Sequence, residues 1–181
     1  PQVALALTLG DGTAIFVYSE RRNAFIMAYE RARIDAEAKE FAINMSNYRH
    51  WDESMRTYVD DCLSGQTGPR EKDFNMRWIA SLVAEAYRIF MRGGIFIYPR
   101  DSRKGYGQGR LRLIYEANPI ALLIEQAGGR AIDGDQRILD IVPTQLHQRT
   151  PLIFGSAAEI RKIARYHSDP TRLAIRHPLF S

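Results

Sequence analysis

The chain has 181 residues, 45% of them hydrophobic and 25% charged, with 13 glycines. That balance excludes a disordered or fibrous protein and suits one buried core, with two small domains as the alternative. Lysine and arginine outnumber aspartate and glutamate by 25 to 21, but the charges are interspersed, and no run of like charges has the length of a nucleic-acid arm.

The opening "PQVALALTLG" has no initiator methionine, no basic leader and no cleavage-like end. It is not a signal peptide, and it begins as though a strand had been cut into, so a fragment of a longer protein is expected. Val3 to Leu9 and Ala14 to Ser19 predict a hairpin around Gly10-Asp11-Gly12. Phe25 to Met27 predict a strand, followed through "ERARIDAEAKE" by a turn or short helix. "EFAINMSNY" predicts a strand that ends in polar residues at Asn44. Asp52 to Leu63 predict a helix with Gly65 just beyond it, and "GQTGPREKD" a loop. In "SLVAEAYRIFMRGG", Leu82, Val83, Ala86, Ile89 and Phe90 share one helical face, with Ser81 capping the start and Gly93 the end.

Ile95 to Tyr98 predict a buried strand. A second helix ends at Gly128-Gly129. Its start is open, because Asn118-Pro119 resembles a cap and first position while Leu111, Ile114 and Tyr115 already have helical spacing. Strands follow at Arg130 to Asp133 and Pro151 to Phe154. Ser156 and Glu159 form a capping box for a last helix reaching about His167. The tail from residue 168 to 181 gives no clear pattern. Strands and helices interleave irregularly, which predicts an α/β fold: a layered αβα domain with a mixed sheet between helices.

Chemistry is sparse. His50, His147, His167 and His177 are never spaced as metal ligands, and His147 reads as a hydrogen-bonded structural side chain. No nucleophile elbow, phosphate-loop lysine motif or dinucleotide fingerprint is present, and "GYGQGR" opens no helix directly. The single cysteine, Cys62, forms no internal disulfide, and no segment reaches the ~20 apolar residues of a membrane span, so a cytoplasmic location is expected.

The stretch from Gly93 to Pro119 is the exception. Tyr98, Arg100, Arg103, Lys104, Arg110 and Arg112 surround a glycine-rich loop leaving the carboxyl end of a strand. It is either a solvated basic loop or a pocket for an anionic ligand, since guanidinium groups suit phosphate. Glu116 lies amid "LIYEANPIALL" and should meet a cation, either an arginine or a metal.

The segment from Gly93 to Ser156 closely resembles the carboxyl-terminal part of class I fructose-1,6-bisphosphatases. It carries that family's Gly-Gly-Ile-Phe, Tyr-Pro, Tyr-Glu-x-Asn-Pro, Glu-x-Ala-Gly-Gly and Asp-Ile-Val-Pro-Thr-x-Leu-His-Gln-Arg elements, and the rest of the chain matches more loosely. The resemblance implies the sugar phosphatase superfamily and hydrolysis of fructose 1,6-bisphosphate to fructose 6-phosphate and phosphate, in gluconeogenesis or the Calvin cycle. It implies that Glu116 is a metal ligand for a divalent ion, usually Mg2+. Tyr98 and Asn44 are implied to contact the 6-phosphate, and Arg77 to reach it from a neighbouring subunit of a homo-oligomer, a dimer or tetramer. Arg110 and Trp78 stand at substrate-binding positions where the family usually has lysine and tyrosine. Asn47 replaces another tyrosine, for which the adjacent Tyr48 is a candidate substitute.

The family's remaining metal ligands lie upstream of anything present, so residues 1–167 read as the substrate-binding domain, inactive alone, and 168–181 as a tail. Rival readings are a phosphatase for another sugar bisphosphate such as sedoheptulose 1,7-bisphosphate, an inositol-phosphatase-like enzyme, and a non-catalytic sugar-phosphate-binding or oligomerisation module. Neither nucleic acid nor a membrane is an expected partner.

Overall fold

The computed structural model describes residues 3–168; most of the tail, and His177 with it, lies outside them. The hairpin is present as β1 (Ala4–Thr8) and β2 (Thr13–Ser19), which pair antiparallel, and β3 (Ala24–Tyr29) adds to the far side of β2. No helix follows β3. Through residues 30–39 the backbone bonds instead to other elements, Ala32 N–H to Thr13 and Ile34 N–H to Ala127, while Ala158 N–H reaches the Ala36 carbonyl. Those tertiary bonds, and the burial of Ala32, Ile34 and Ala38, override local helix propensity.

β4 (Glu40–Ala42) leads into a short 3-10 turn (Met45–His50) and then α1 (Glu53–Leu63), whose Asp52 accepts the Met55 N–H at 2.8 Å. After the loop come β5 (Asn75–Met76), α2 (Leu82–Arg92) and β6 (Ile95–Tyr98). Ser81 caps α2 as expected. The buried face of α2 is rotated from the sequence expectation, because Val83 is 73% exposed and Glu85 is fully buried. Glu85 is stabilised there by the Ile79 N–H at 2.7 Å and by Arg88 Nε at 3.0 Å.

β7 (Leu111–Arg112) takes up Leu111, so that residue is not helical. A wide π turn, Leu113–Ala117, then runs without a break into α3 (Asn118–Gln126). Asn118 has helical dihedrals and donates its N–H to Leu113, so it does not cap the helix. The wide turn precedes Pro119, which has no N–H to give to a regular helical ladder. β8 (Arg130–Ile132), β9 (Arg149–Thr150), β10 (Leu152–Gly155) and α4 (Ala157–Ser168) complete the order.

The expected capping box at α4 does not form. Ser156 uses its N–H on the Gly94 carbonyl and its hydroxyl on the Gly94 N–H. Glu159 instead holds Arg70, Lys72 and Lys162.

The central sheet is mixed, in the order β5-β4-β6-β10-β8, with β4 parallel to both β5 and β6 and β10 antiparallel to β6 and β8. Alternate residues feed two cores. Ala42, Phe96 and Phe154 pack with Ala86, Ile89, Phe90, Ala121 and Ile124 of α2 and α3. Phe41, Ile43, Ile95, Ile97 and Ile153 pack with Met55, Tyr58, Val59, Ile160 and Ile163 of α1 and α4. This is the expected αβα layering. Gly155 crosses Gly94 so closely that any side chain would strike the Gly94 carbonyl, and its φ of 139° also favours glycine.

Arg70, 7% exposed, pairs with Glu159, 0% exposed, under the α1–α4 layer. Burial opposes the Glu159 charge, but hydrogen bonds from Arg70 and Lys72 outweigh it and hold the carboxyl below its ordinary range. A carboxyl whose pKa is depressed on folding stabilises the fold above its unfolded value and loses that contribution as pH falls through the folded value. Glu159→Ala should therefore cost about 3–5 kcal/mol at neutral pH by stranding buried Arg70. Urea unfolding at neutral and acid pH should show the parent losing more stability on acidification than the variant.

Candidate functional site: a hollow at the ends of two parallel strands

β4 and β6 run side by side in the same direction, with Phe41 opposite Ile95 and Ala42 opposite Phe96. Their carboxyl ends therefore open at one edge, where ligands of α/β sheets bind. One hollow there is lined by Asn44, Asn47, Trp51, Tyr98, Asp101 and Arg110, over Ile43, Ile97 and Pro99. Asn44, Tyr98 and Arg110 come from three separate segments, and the fold brings them together.

Each has a defined posture. Asn44 caps the 3-10 turn, its Oδ1 accepting Ser46 N–H at 3.2 Å and Ser46 Oγ–H at 2.7 Å. With the oxygen occupied, the amide donor end is the one left for a ligand. Arg110 is exposed, its guanidinium 4.6 Å over the Tyr106 ring and 5.9 Å over the Tyr98 ring. Among the described residues it has no carboxylate partner. Gly109 before it has φ of 77°, and a side chain there would collide with the Thr150–Pro151 backbone, which fixes the loop against β9.

The other basic residues of this stretch are largely engaged. Arg100 pairs with Asp135, Arg103 pairs with Asp101, and Arg112 donates to the His147 carbonyl at 3.1 Å. The Arg103 guanidinium holds the Asp101 carboxyl below its ordinary range, which offsets the negative charge that Asp101 brings to the hollow. The space enclosed is about 10 Å3, the room of one water.

The remaining expected residues lie elsewhere. Trp78 does not line the hollow; its indole stacks on Phe96 and Tyr98, with centroids at 5.9 and 6.3 Å. Arg77, 49% exposed beyond edge strand β5, leans on Glu40 with Nε 3.5 Å from the carboxylate. Tyr48 does not take the place of the tyrosine replaced by Asn47, since its hydroxyl donates to the two Asp60 carboxylate oxygens at 2.9 and 2.8 Å. Asn47 itself faces the hollow. Trp51 and Asp101 were not singled out from sequence; the aspartate two residues after Tyr-Pro was the only available cue.

Glu116 pairs with no arginine or lysine side chain among the described residues. It sits in the π turn, partly exposed, and its Oε2 accepts the Arg112 N–H at 2.6 Å. The arginine alternative gives way to a backbone donor, and the carboxylate is partly exposed rather than buried. Among the described residues no three Asp, Glu, His or Cys side chains gather to hold a metal, so these residues do not fit a metal cluster by themselves. His147 is hydrogen-bonded as expected, with Nδ1 2.9 Å from the Tyr115 hydroxyl.

Residues 34–168 match the family described as fructose-1-6-bisphosphatase, C-terminal domain. The chain belongs to the fructose-1,6-bisphosphatase family. It is similar to the class 1 fructose-1,6-bisphosphatase of Rhizobium meliloti, 65% identical over 180 residues, which cover 99% of this chain and 52% of that protein. A class 1 fructose-1,6-bisphosphatase of Xanthobacter autotrophicus is 56% identical over 181 residues, covering 100% of this chain and 48% of the relative. The crystal structure of Leishmania major fructose-1,6-bisphosphatase in holo form superposes with a TM-score of 0.86 at 34% identity, over 92% of this chain and 49% of that one. The chain thus spans about half the length of the curated relatives it matches.

Tyr48 provides a direct check of which aromatic serves the hollow. Tyr48→Phe should leave phosphate binding unchanged while lowering stability by about 1–2 kcal/mol through loss of the Asp60 hydrogen bond, as read by calorimetric titration and urea unfolding.

Proposed function

We propose that this chain is the sugar-phosphate-binding half of a fructose-1,6-bisphosphatase. Its hollow at the ends of β4 and β6 holds the 6-phosphate of fructose 1,6-bisphosphate or of the product fructose 6-phosphate. The observation that carries this reading is the shared hollow of Asn44, Tyr98 and Arg110, in a member of that family. An amide N–H, a phenol O–H and a guanidinium supply donors for separate phosphate oxygens, and among the described residues Arg110 has no carboxylate to give up first.

Arg77 serves the same phosphate of a second copy across a homo-oligomer interface; its exposed place beyond an edge strand supports this. Glu116 contributes one ligand to a divalent metal, Mg2+ by resemblance, whose other ligands lie outside this chain. Its Oε1 makes no hydrogen bond among the described residues, which leaves that oxygen available. The setting is the cytoplasm, in keeping with a single buried thiol, Cys62, whose burial pushes its pKa up to about 11 and keeps it protonated.

Arg110→Ala should weaken binding of inorganic phosphate and fructose 6-phosphate roughly 10- to 150-fold, the value of one charge-assisted hydrogen bond. Calorimetric titration tests it, and unchanged affinity would remove the hollow as the phosphate site. Because a single carboxylate does not assemble a catalytic metal centre, the purified chain with Mg2+ should release no phosphate from fructose 1,6-bisphosphate. Release at the rate of an intact family enzyme, from a preparation free of host phosphatase, would contradict this.

A further inference from the structure

Trp78 does not line the hollow, yet it covers one of the hollow's donors. Phe96 and Tyr98 project from the same face of β6, two residues apart, with ring centroids 6.1 Å apart and planes 12° from parallel. The Trp78 indole lies across both, inclined 14° to Phe96 and 24° to Tyr98. Phe96 is itself packed against Phe154 of β10, at 5.1 Å between centroids. The stack is thus anchored in the sheet at one end and reaches the hollow at the other. A phenol has two soft torsions; at the strand end the stack, together with the exposed Arg110 guanidinium 5.9 Å from the ring centroid, restrains those of Tyr98.

We propose that Trp78 is a positioning residue. Its indole, braced by Phe96, holds the Tyr98 side chain in one χ1 well, which places the hydroxyl oxygen at the phosphate hollow, and fixes the ring plane in which the O–H lies, without touching the ligand. This rests on the reading of that hollow as a phosphate site. A phenol at position 78 would offer its own hydroxyl to a ligand; the indole offers a broader plane and no hydroxyl, so its contribution passes through Tyr98. The consequence is conditional: Trp78 matters for binding only while Tyr98 has a hydroxyl to aim.

A double-mutant cycle on the 181-residue chain tests this, with fructose 6-phosphate and inorganic phosphate as probes and calorimetry as the readout. Tyr98→Phe should weaken binding roughly 2- to 10-fold. Trp78→Leu, which keeps apolar bulk and removes the plane, should weaken it by a similar factor, roughly 3- to 10-fold. Trp78→Phe should restore most of the loss. In the Tyr98→Phe background Trp78→Leu should have no further effect beyond about 2-fold, the mark of two residues acting through one contact.

Equal affinity for Tyr98→Phe and the parent would sink the phosphate reading itself. A weakened Tyr98→Phe beside an unaffected Trp78→Leu, or fully additive losses, would overturn the role of Trp78 and leave that reading standing. A measurement on the unsubstituted chain is independent of whether any variant folds. The ring current of the indole should shift the Tyr98 ring protons from their random-coil positions, and random-coil shifts there would overturn the stack.

Discussion

The parallel pairing of β4 with β6 is the constraint from which the site follows. Only two residue pairs define it, Phe41 with Ile95 and Ala42 with Phe96, yet it brings the ends of two sequence-distant strands to one edge. Asn44 leaves the first strand and Tyr98 ends the second. The pairing holds because each strand is buried on both faces, with Ala42 and Phe96 in one core and Phe41, Ile43, Ile95 and Ile97 in the other. A slip of one residue would exchange those faces and turn the Tyr98 ring out of its stack. The packing of β10 reinforces the register, since Gly155 must meet Gly94 without a side chain between them.

Much of this was legible in the sequence wherever a local rule and the tertiary fold agreed. The Gly10-Asp11-Gly12 turn, the helix opening after Asp52, the Ser81 cap and the apolar run from Ile95 to Tyr98 all lie where the residues place them. The misreadings share a cause. The segment from 30 to 39, read as a turn or short helix, is not helical, because its backbone is claimed by Thr13 and Ala127 and its Ala36 carbonyl by Ala158. Ser156 and Glu159 have the spacing of a capping box, but each is taken by a distant partner, Gly94 and Arg70. Val83 fits the apolar stripe of α2, yet Glu85 is buried in its stead because Arg88 and the Ile79 amide satisfy it. Such exchanges depend on contacts that no sequence window contains.

The site was legible in a different way. Composition identified a basic, glycine-rich loop without saying which cations were free. Arg100 and Arg103 have carboxylate partners and Arg112 a carbonyl, leaving Arg110 among the loop's arginines without one. The convergence of Asn44, Tyr98 and Arg110 came from family motifs, and the fold supplies its geometry. For Glu116 the spacing through "LIYEANP" did not reveal the π turn, in which a backbone N–H rather than an arginine side chain meets the carboxylate. The stacking of Trp78 was invisible as well, since it depends on Phe96 and Tyr98 standing side by side on one strand.

The central claim is that the hollow at the ends of β4 and β6 is where this chain binds phosphate. Its most direct test is the set of resonances that move when fructose 6-phosphate is titrated into the isotope-labelled chain. The largest shifts should fall on the Asn44 side-chain amide, the Tyr98 ring and the Arg110 guanidinium, saturating together with one dissociation constant. Shifts centred instead on the polar cleft of Arg100, Gln108 and Arg149, with those three groups unmoved, would contradict it.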